Sequence, residues 1–301
     1  MNENTAVTEN AGQWTIIKLV RWATSYLKSH DIDSPRATGE ILLAHVLRLN
    51  RIDLYLKYDQ PLVAEELQKF KTLIKRRVRR EPVAYILGVK EFWSLDLEVN
   101  ADVLIPRPET ECLVEVALDL LNMKASRPPQ RILDMGTGSG AIVLALASQQ
   151  PRHIYIASDR FRPVVELACR NAGRHDLQQK IHFFVGDWLS ALNHTRSRMD
   201  MIVSNPPYIP SRAIGGLQPE ISRFEPISAL NGDRDGLGCC REIIETAHYH
   251  LNSDGVLLLE IGHDQREDIR QIARDCDRYE AFSCFQDYSG YDRVVTMRKK
   301  S

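Results

Sequence analysis

The chemistry in this 301-residue sequence concentrates in Asp200-Met-Ile-Val-Ser-Asn-Pro-Pro-Tyr208. Two consecutive prolines carry no amide protons, fix their own backbone angles and bias the residue before them away from helix. Asn205 and Pro206 are thereby kept out of helix and sheet ladders, with carbonyl groups directed at something other than their own backbone. Asn205 adds a neutral side-chain oxygen and Tyr208 a flat ring beside it. Two acceptors next to a ring, on a turn stiffened by Pro207, make a socket for a planar NH2 group. A proline turn that merely ends a strand is the plain alternative, and the residues upstream weigh against it.

Upstream, Arg131-Ile-Leu-Asp-Met-Gly-Thr-Gly-Ser-Gly140 runs from a strand into a helix. Gly136, Gly138 and Gly140 let the backbone turn sharply and approach a ligand, and the free amides at the helix start suit polar oxygens. Such a turn is common by itself. Asp159, however, stands 19 residues past Gly140 at the end of the next strand, where a carboxylate meets ribose hydroxyls in a nucleoside-binding doubly wound fold. The spacing G-x-G-x-G, preceded by Asp134, favours a nucleoside without a pyrophosphate. Asp187 and Trp188 close the third strand, placed to hydrogen-bond and flank an adenine.

The elements that must position these residues follow from periodicity. From Pro108, a helix (Leu113, Val116, Leu120) and a polar link, Lys124 to Gln130, lead to alternating strands and helices. Strands are expected at 131–135, 153–158, 181–185, 199–204, 255–261, 280–287 and 291–298, the last two joined at Ser289-Gly290. This predicts an α/β fold: a doubly wound, seven-stranded, mostly parallel sheet with an antiparallel hairpin at one end and its sites at the carboxyl ends of the strands. The first eighty residues read as an amino-terminal helical bundle. Ile16, Val20, Ala23 and Leu27 share a face, Ser34 caps a helix opened by Pro35, and Val63, Leu67, Phe70, Ile74 and Val78 form a third stripe. Glu81-Pro82 ends the bundle, and Leu95, Leu97 and Val99 alternate as in a hairpin. The domains are therefore drawn at 1–82, helical; 83–107, a β-hairpin connector; and 108–301, the sheet.

Composition sets the bounds. With 44% apolar and 26% charged residues and a net charge of -1, disorder and fibrous folds are excluded and the basic footprint of a duplex-nucleic-acid binder is absent. No apolar run is long enough to cross a bilayer, and the first fifteen residues lack the pattern of a secretory signal. The six cysteines include no C-x-x-C pair, so reduced, cytoplasmic thiols are expected, with no disulfide framework and no metal. His248-Tyr-His250 has no third ligand at suitable spacing and reads as surface histidines on a helix. Lys75-Arg-Arg-Val-Arg-Arg80 reads as a solvated helix end, and Cys239-Cys240 as packing.

The order and spacing of D-M-G-T-G-S-G, Asp159, G-D-W and N-P-P-Y resemble the S-adenosylmethionine-dependent methyltransferases that modify planar nitrogens. More narrowly, Glu81-Pro-Val-Ala-Tyr-Ile-Leu-Gly88, Glu91-Phe92, Val103-Leu-Ile-Pro-Arg-Pro-Glu-Thr-Glu111, Phe224-Glu-Pro226, Leu257-Leu-Leu-Glu-Ile-Gly262 and Gly290-Tyr-Asp-Arg-Val-Val295 resemble the peptide chain release factor glutamine methyltransferases. The sequence departs from that family at Ser94, usually glycine, and at Asn231-Gly232-Asp233, where a Gly-Gly pair is usual.

The resemblance implies a Rossmann-like methyltransferase domain over 108–301 and a substrate-recognition role for the helical domain. It implies S-adenosylmethionine as the cofactor, bound by Gly136, Thr137, Gly138, Ser139, Gly140, Asp159, Asp187, Trp188 and Asn205. The substrate would be the glutamine of the Gly-Gly-Gln loop of release factors 1 and 2, with no membrane and no stable nucleic-acid binding. Asn205, Pro206 and Tyr208 are the expected catalytic residues and, with Pro207, the expected substrate-binding ones. The same residues also admit a methyltransferase acting on a nucleobase exocyclic amine of RNA or DNA, or a non-catalytic donor-binding module. Near-neutral charge and the Pro-Arg-Pro-Glu-Thr-Glu segment weigh against the first, and the intact N-P-P-Y against the second. Ile209 to Cys240 and the 86–111 connector are expected to wall a cleft that admits a peptide loop.

Overall fold

A computed structural model describes residues 14–123, 128–193 and 198–301; the stretch before residue 14 and Lys124 of the polar link lie outside the described residues. The chain divides into two units, one ending at Leu87 and one beginning at Gly88.

In the first unit, apolar residues at helical spacing build α1 (Ile16–Lys28), α2 (Pro35–Leu47), α3 (Asp53–Leu56), α4 (Ala64–Val78) and α5 (Val83–Leu87). Ile16, Leu19, Ala23 and Leu27 of α1 share one core with Leu42 and Leu43 of α2, Phe70 and Ile74 of α4 and Ile86 of α5. Several expectations change here. Ser34 makes no side-chain cap and sits at φ 47°; its carbonyl instead accepts the Thr38 amide at 2.9 Å. Val63 precedes α4 and is exposed. The basic run is not simply solvated. Arg76 grips Glu81 through Nε at 2.8 Å and Nη2 at 2.5 Å, and buried Arg77 donates to the Glu81 carbonyl at 3.2 Å. These bonds tie the end of α4 to the segment entering α5, so Val83–Leu87 packs as a helix of this unit rather than as part of the hairpin connector.

The second unit opens with a hairpin of β1 (Val89–Phe92) and β2 (Leu95–Glu98). Its two turn residues, Trp93 and Ser94, have φ of +52° and +59°, the left-handed pair that a tight hairpin turn requires. Ser94 thus adopts the conformation for which glycine is the usual choice. A 3-10 turn at Pro108–Thr110 leads into α6 (Glu111–Met123). There follow β3 (Arg131–Met135), α7 (Ala141–Gln149), β4 (Ile154–Asp159), α8 (Arg162–Arg174), β5 (Ile181–Val185), β6 (Met199–Ser204), α9 (Pro219–Ser222), α10 (Gly238–Ala247), β7 (Leu251–Glu260), α11 (Arg266–Cys276), β8 (Tyr279–Gln286) and β9 (Asp292–Lys299).

The seven strands from β3 onward lie in the order β5-β4-β3-β6-β7-β9-β8. The first five are parallel, and β9 runs antiparallel to both its neighbours. Alternate residues serve opposite faces. Ile132, Met201, Val203 and Leu258 pack with α6 and α7, while Leu133, Met135, Ile202, Leu257 and Leu259 pack with α10 and α11. β7 begins at Leu251, earlier than residue 255, through an irregular stretch with Asp254 at φ 61°. His248 and His250 are buried, not at the surface: they occupy the short link from α10 to β7, which folds both rings inward. Among the described residues, no three His, Cys, Asp or Glu side chains are grouped to hold a metal ion, and no helix is long and apolar enough to cross a membrane.

The sheet's strand order reverses between β3 and β6. Met135 pairs with Ser158 on one side and Ser204 on the other. Gly136, Asp159 and Asn205 therefore leave the sheet side by side, in the crevice where such folds bind ligands.

The α7–β4 packing beneath the glycine turn is testable. Fully buried Tyr155 donates to the Gln150 carbonyl at 2.9 Å and lies 3.1 Å from the Leu146 carbonyl. Tyr155→Phe is expected to lower stability by about 1–3 kcal/mol, read from denaturant unfolding; an unchanged midpoint would contradict this packing.

Candidate active site

A cavity of about 410 Å³ opens at this end of the sheet, in the range of small-molecule sites. Gly136, Thr137, Gly138 and Ser139 line it, joined by Asp159 at the end of β4, Asp187 and Trp188 after β5, and Asn205 and Pro207 after β6. Gly136 and Gly138 have φ of +68° and +56°, which glycine adopts without strain. A Cβ added to Gly138 would meet no protein atom within 4 Å, so the turn faces open space. Two carboxylates hold its shape. Asp134 accepts the Thr137 hydroxyl at 2.7 Å and the Val143 amide at 3.2 Å. Burial nevertheless pushes its carboxyl up to about 7. Asp159 accepts the Gly138 amide at 3.1 Å and the Phe161 amide at 3.2 Å, and burial raises its pKa.

Gly140 is placed differently from its neighbours. At φ +86°, it precedes α7, and an added Cβ would lie 3.1 Å from Leu144 Cδ1 and 3.5 Å from the Ala168 Cβ. It serves helix packing and does not line the cavity. Cys240 is buried as expected, whereas Cys239 lines the cavity.

Asn205 also lines a second cavity, of about 310 Å³, with Pro206, Tyr208, Glu260 and Arg293. Its Nδ2 donates to Thr110 Oγ1 at 3.2 Å. Among the described residues, neither Asn205 Oδ1 nor the Pro206 carbonyl accepts a hydrogen bond. Pro207 faces the first cavity and Tyr208 the second. The Tyr208 hydroxyl donates to Glu260 Oε1 at 3.2 Å, and its carbonyl accepts Gln265 Nε2 at 3.0 Å. Burial, then the charge of Glu260, raises the Tyr208 pKa. Residues 232–236 brace this turn from behind. A Cβ on Gly232 would lie 2.8 Å from the Pro207 carbonyl oxygen, and one on Gly236 2.6 Å from that of Tyr208. Asp233, in the segment that departs from the family pattern, takes φ +75°.

Thr110, Arg107, Glu225 and Glu260 were not among the expected site residues. Arg107 Nη2 donates to buried Glu225 Oε1 at 2.6 Å, joining the 103–111 segment to the long 209–240 segment. Burial raises the Glu225 pKa, and Arg107 opposes the shift. Each of the four lies inside a motif quoted above, but only folding brings them together.

The model for the PrmC N-terminal domain matches residues 18–88, and that for the methyltransferase small domain matches residues 114–215. The release factor glutamine methyltransferase of Geobacter sulfurreducens is 40% identical over 289 residues, covering 96% of this chain and 98% of its own. That of Escherichia coli K12 is 43% identical over 279 residues, covering 93% and 97%. This chain belongs to the release factor glutamine methyltransferase family. The fold is shared more widely. The hMettl16 catalytic domain aligns with a TM-score of 0.56 at 14% identity, covering 79% of this chain and 83% of that one. In this family member, Asn205 lines both cavities, with one acceptor oxygen unclaimed among the described residues.

The buried carboxyl under the glycine turn generates a pH prediction. Asp134 holds its proton up to about 7 when folded, against about 3.9 when unfolded. The native state therefore binds more protons between these values, and stability should fall as pH rises through that window and level off above it. Asp134→Asn should reduce the difference in Tm between about pH 5 and about pH 8. An unaltered difference would contradict the assignment.

Proposed function

We propose that this protein transfers a methyl group from S-adenosylmethionine to the side-chain amide nitrogen of the glutamine in the Gly-Gly-Gln loop of peptide chain release factors 1 and 2, in the cytoplasm. The observation that carries this is the placement of Asn205, which lines both cavities with its Oδ1 free. The open glycine turn supports the first cavity as the donor site. There Gly136 to Ser139 allow close backbone approach, Asp159 suits ribose hydroxyls, and Asp187 and Trp188 suit an adenine. When bound, S-adenosylmethionine supplies an electrophilic methyl group on a sulfonium.

The second cavity suits the glutamine side chain. An amide nitrogen is a poor nucleophile because its lone pair is delocalised into the carbonyl. Hydrogen bonds from its two protons to Asn205 Oδ1 and the Pro206 carbonyl would fix the nitrogen and turn its lone pair toward the first cavity. The Tyr208 ring packs along the amide plane, and Pro207 keeps the turn rigid. The methylated nitrogen is acidic and loses its extra proton readily, so no strong base is needed. The walls formed by residues 102–110 and 209–231 admit the substrate loop. The helical unit recognises the release factor, and it exposes Ile52, Tyr55, Leu56, Tyr58 and Val63 as apolar contacts for a protein partner.

The test is transfer of a labelled methyl group to intact release factor, to the same factor with the motif glutamine replaced, and to RNA and DNA. Label is expected only in the first; label in nucleic acid would instead favour a nucleobase substrate. Asn205→Ala should lower turnover about 100-fold or more while S-adenosylmethionine still binds. Gly138→Val should abolish donor binding in calorimetry. Full turnover by Asn205→Ala would overturn the acceptor role.

A further inference from the structure

We infer that Arg293 receives the carbonyl oxygen of the substrate glutamine, so that the second cavity reads both ends of a primary amide: acceptors at Asn205 and Pro206 for its NH2, and a cationic donor at Arg293 for its oxygen. This rests on the reading of Asn205 and Pro206 as acceptors and goes beyond it, because those two oxygens account for only half of the ligand. An amide offers two donor hydrogens at its nitrogen and two lone pairs at its oxygen. A site that leaves the oxygen without a donor forfeits a hydrogen bond that water had supplied.

Among the described residues that line this cavity, few side chains can supply the donor. The Asn205 NH2 is engaged with Thr110 Oγ1 at 3.2 Å, and the Tyr208 hydroxyl with Glu260 Oε1 at 3.2 Å. Two guanidiniums remain, those of Arg107 and Arg293. Arg107 lines both cavities and ties their walls together through Glu225 at 2.6 Å. Arg293 lines the second cavity and not the first, which is where an acceptor substrate, rather than the methyl donor, would meet it.

The chain around Arg293 holds it for this task. It stands at the start of β9 with its side chain 13% exposed. Its Nε donates to Asp287 Oδ2 at 3.1 Å and its Nη1 to the Ile261 carbonyl at 3.1 Å. Asp287, after β8, is itself pinned, its Oδ1 accepting the amides of Ser289 and Tyr291 at 2.9 and 3.1 Å. These bonds fix the plane of the guanidinium. Among the described residues, Nη2 makes no hydrogen bond, and Arg293 forms no ion pair with Glu260 on the same wall. A planar fork held on one side thus keeps a nitrogen unspent, and a charged donor binds a carbonyl oxygen more strongly than a neutral one does. The pairing with Asp287 balances the charge, which suits a neutral amide better than a carboxylate. A glutamine turned end for end would set its NH2 against the guanidinium and its oxygen against two acceptors.

Arg293→Met, which keeps an unbranched chain and removes every donor, tests this through selectivity. Binding of intact release factor is measured by calorimetry with the demethylated donor product present, once with the motif glutamine and once with methionine in its place, a side chain of similar length without the amide. Wild-type protein should prefer the glutamine form, and the ratio of the two affinities should fall about tenfold or more in Arg293→Met, the effect of one hydrogen bond to a charged group. Affinity for S-adenosylmethionine should hold. A role confined to packing would weaken both forms alike, so an unchanged ratio would overturn the inference. Should the variant not fold, the wild-type protein decides: in its crystal structure with a Gly-Gly-Gln peptide, the glutamine oxygen should lie within about 3.2 Å of Arg293 Nη2, and an oxygen held by another donor or by water alone would overturn the inference. Asn205→Ala measured alongside separates the two readings. A ratio that falls there but persists in Arg293→Met removes only the role of Arg293, whereas a ratio indifferent to Asn205→Ala removes the acceptor reading beneath it.

Discussion

Proline lacks an amide proton, and much of this site depends on that deficiency. A strand that continued past Ser204 would spend its carbonyls on its neighbours. With prolines at 206 and 207 the ladder stops, and among the described residues the Pro206 carbonyl and Asn205 Oδ1 have no hydrogen-bond donor at the edge of two cavities. Exposed acceptors of this kind are costly unless a ligand or water satisfies them. The protein holds them in place from several directions. Gln265 ties the Tyr208 carbonyl to that of Gly236, and Gly232 and Gly236 let a second backbone press against the turn. The rigidity needed to aim a weak nucleophile is thus assembled behind the acceptors.

The sheet contributes register. Because Met135 pairs with both Ser158 and Ser204, the glycine turn, the β4 carboxylate and the proline turn emerge at one level. Shifting any of these strands by one residue would exchange its two faces and displace its terminal residues from the crevice. The two apolar cores, one on each face, make such a slip expensive. Chain segments distant in sequence then close the site: Arg107 and Glu225 join its walls, and Thr110 and Glu260 reach Asn205 and Tyr208.

What could be read in the sequence is what acts locally. The glycine turn, Asp159 and N-P-P-Y announce themselves because their backbone consequences do not depend on distant residues, and strand alternation is a local period. The outcome for Gly140 could not be read from spacing. Its φ belongs to the same turn, yet Leu144 and Ala168 occupy the space beside it. Nor could Lys75 to Arg80, since Arg76 and Arg77 find their partner at Glu81, past the end of α4 and just before the proline that leads into a further helix. His248 and His250 were misplaced because a two-sided burial pattern over a short link has no clear period. Glu260 reads as one acidic residue at a strand end, and its hydrogen bond with Tyr208 exists only once β7 lies beside β6.

The central claim is that a primary amide is held by Asn205 and Pro206 between the two cavities. The most direct test is a crystal structure of the protein with a Gly-Gly-Gln peptide and the demethylated donor product. The glutamine side-chain nitrogen should lie within about 3.2 Å of both Asn205 Oδ1 and the Pro206 carbonyl oxygen, with the first cavity filled by the donor product. A glutamine bound with its oxygen toward Asn205, or held elsewhere while both acceptors bind only water, would contradict the account.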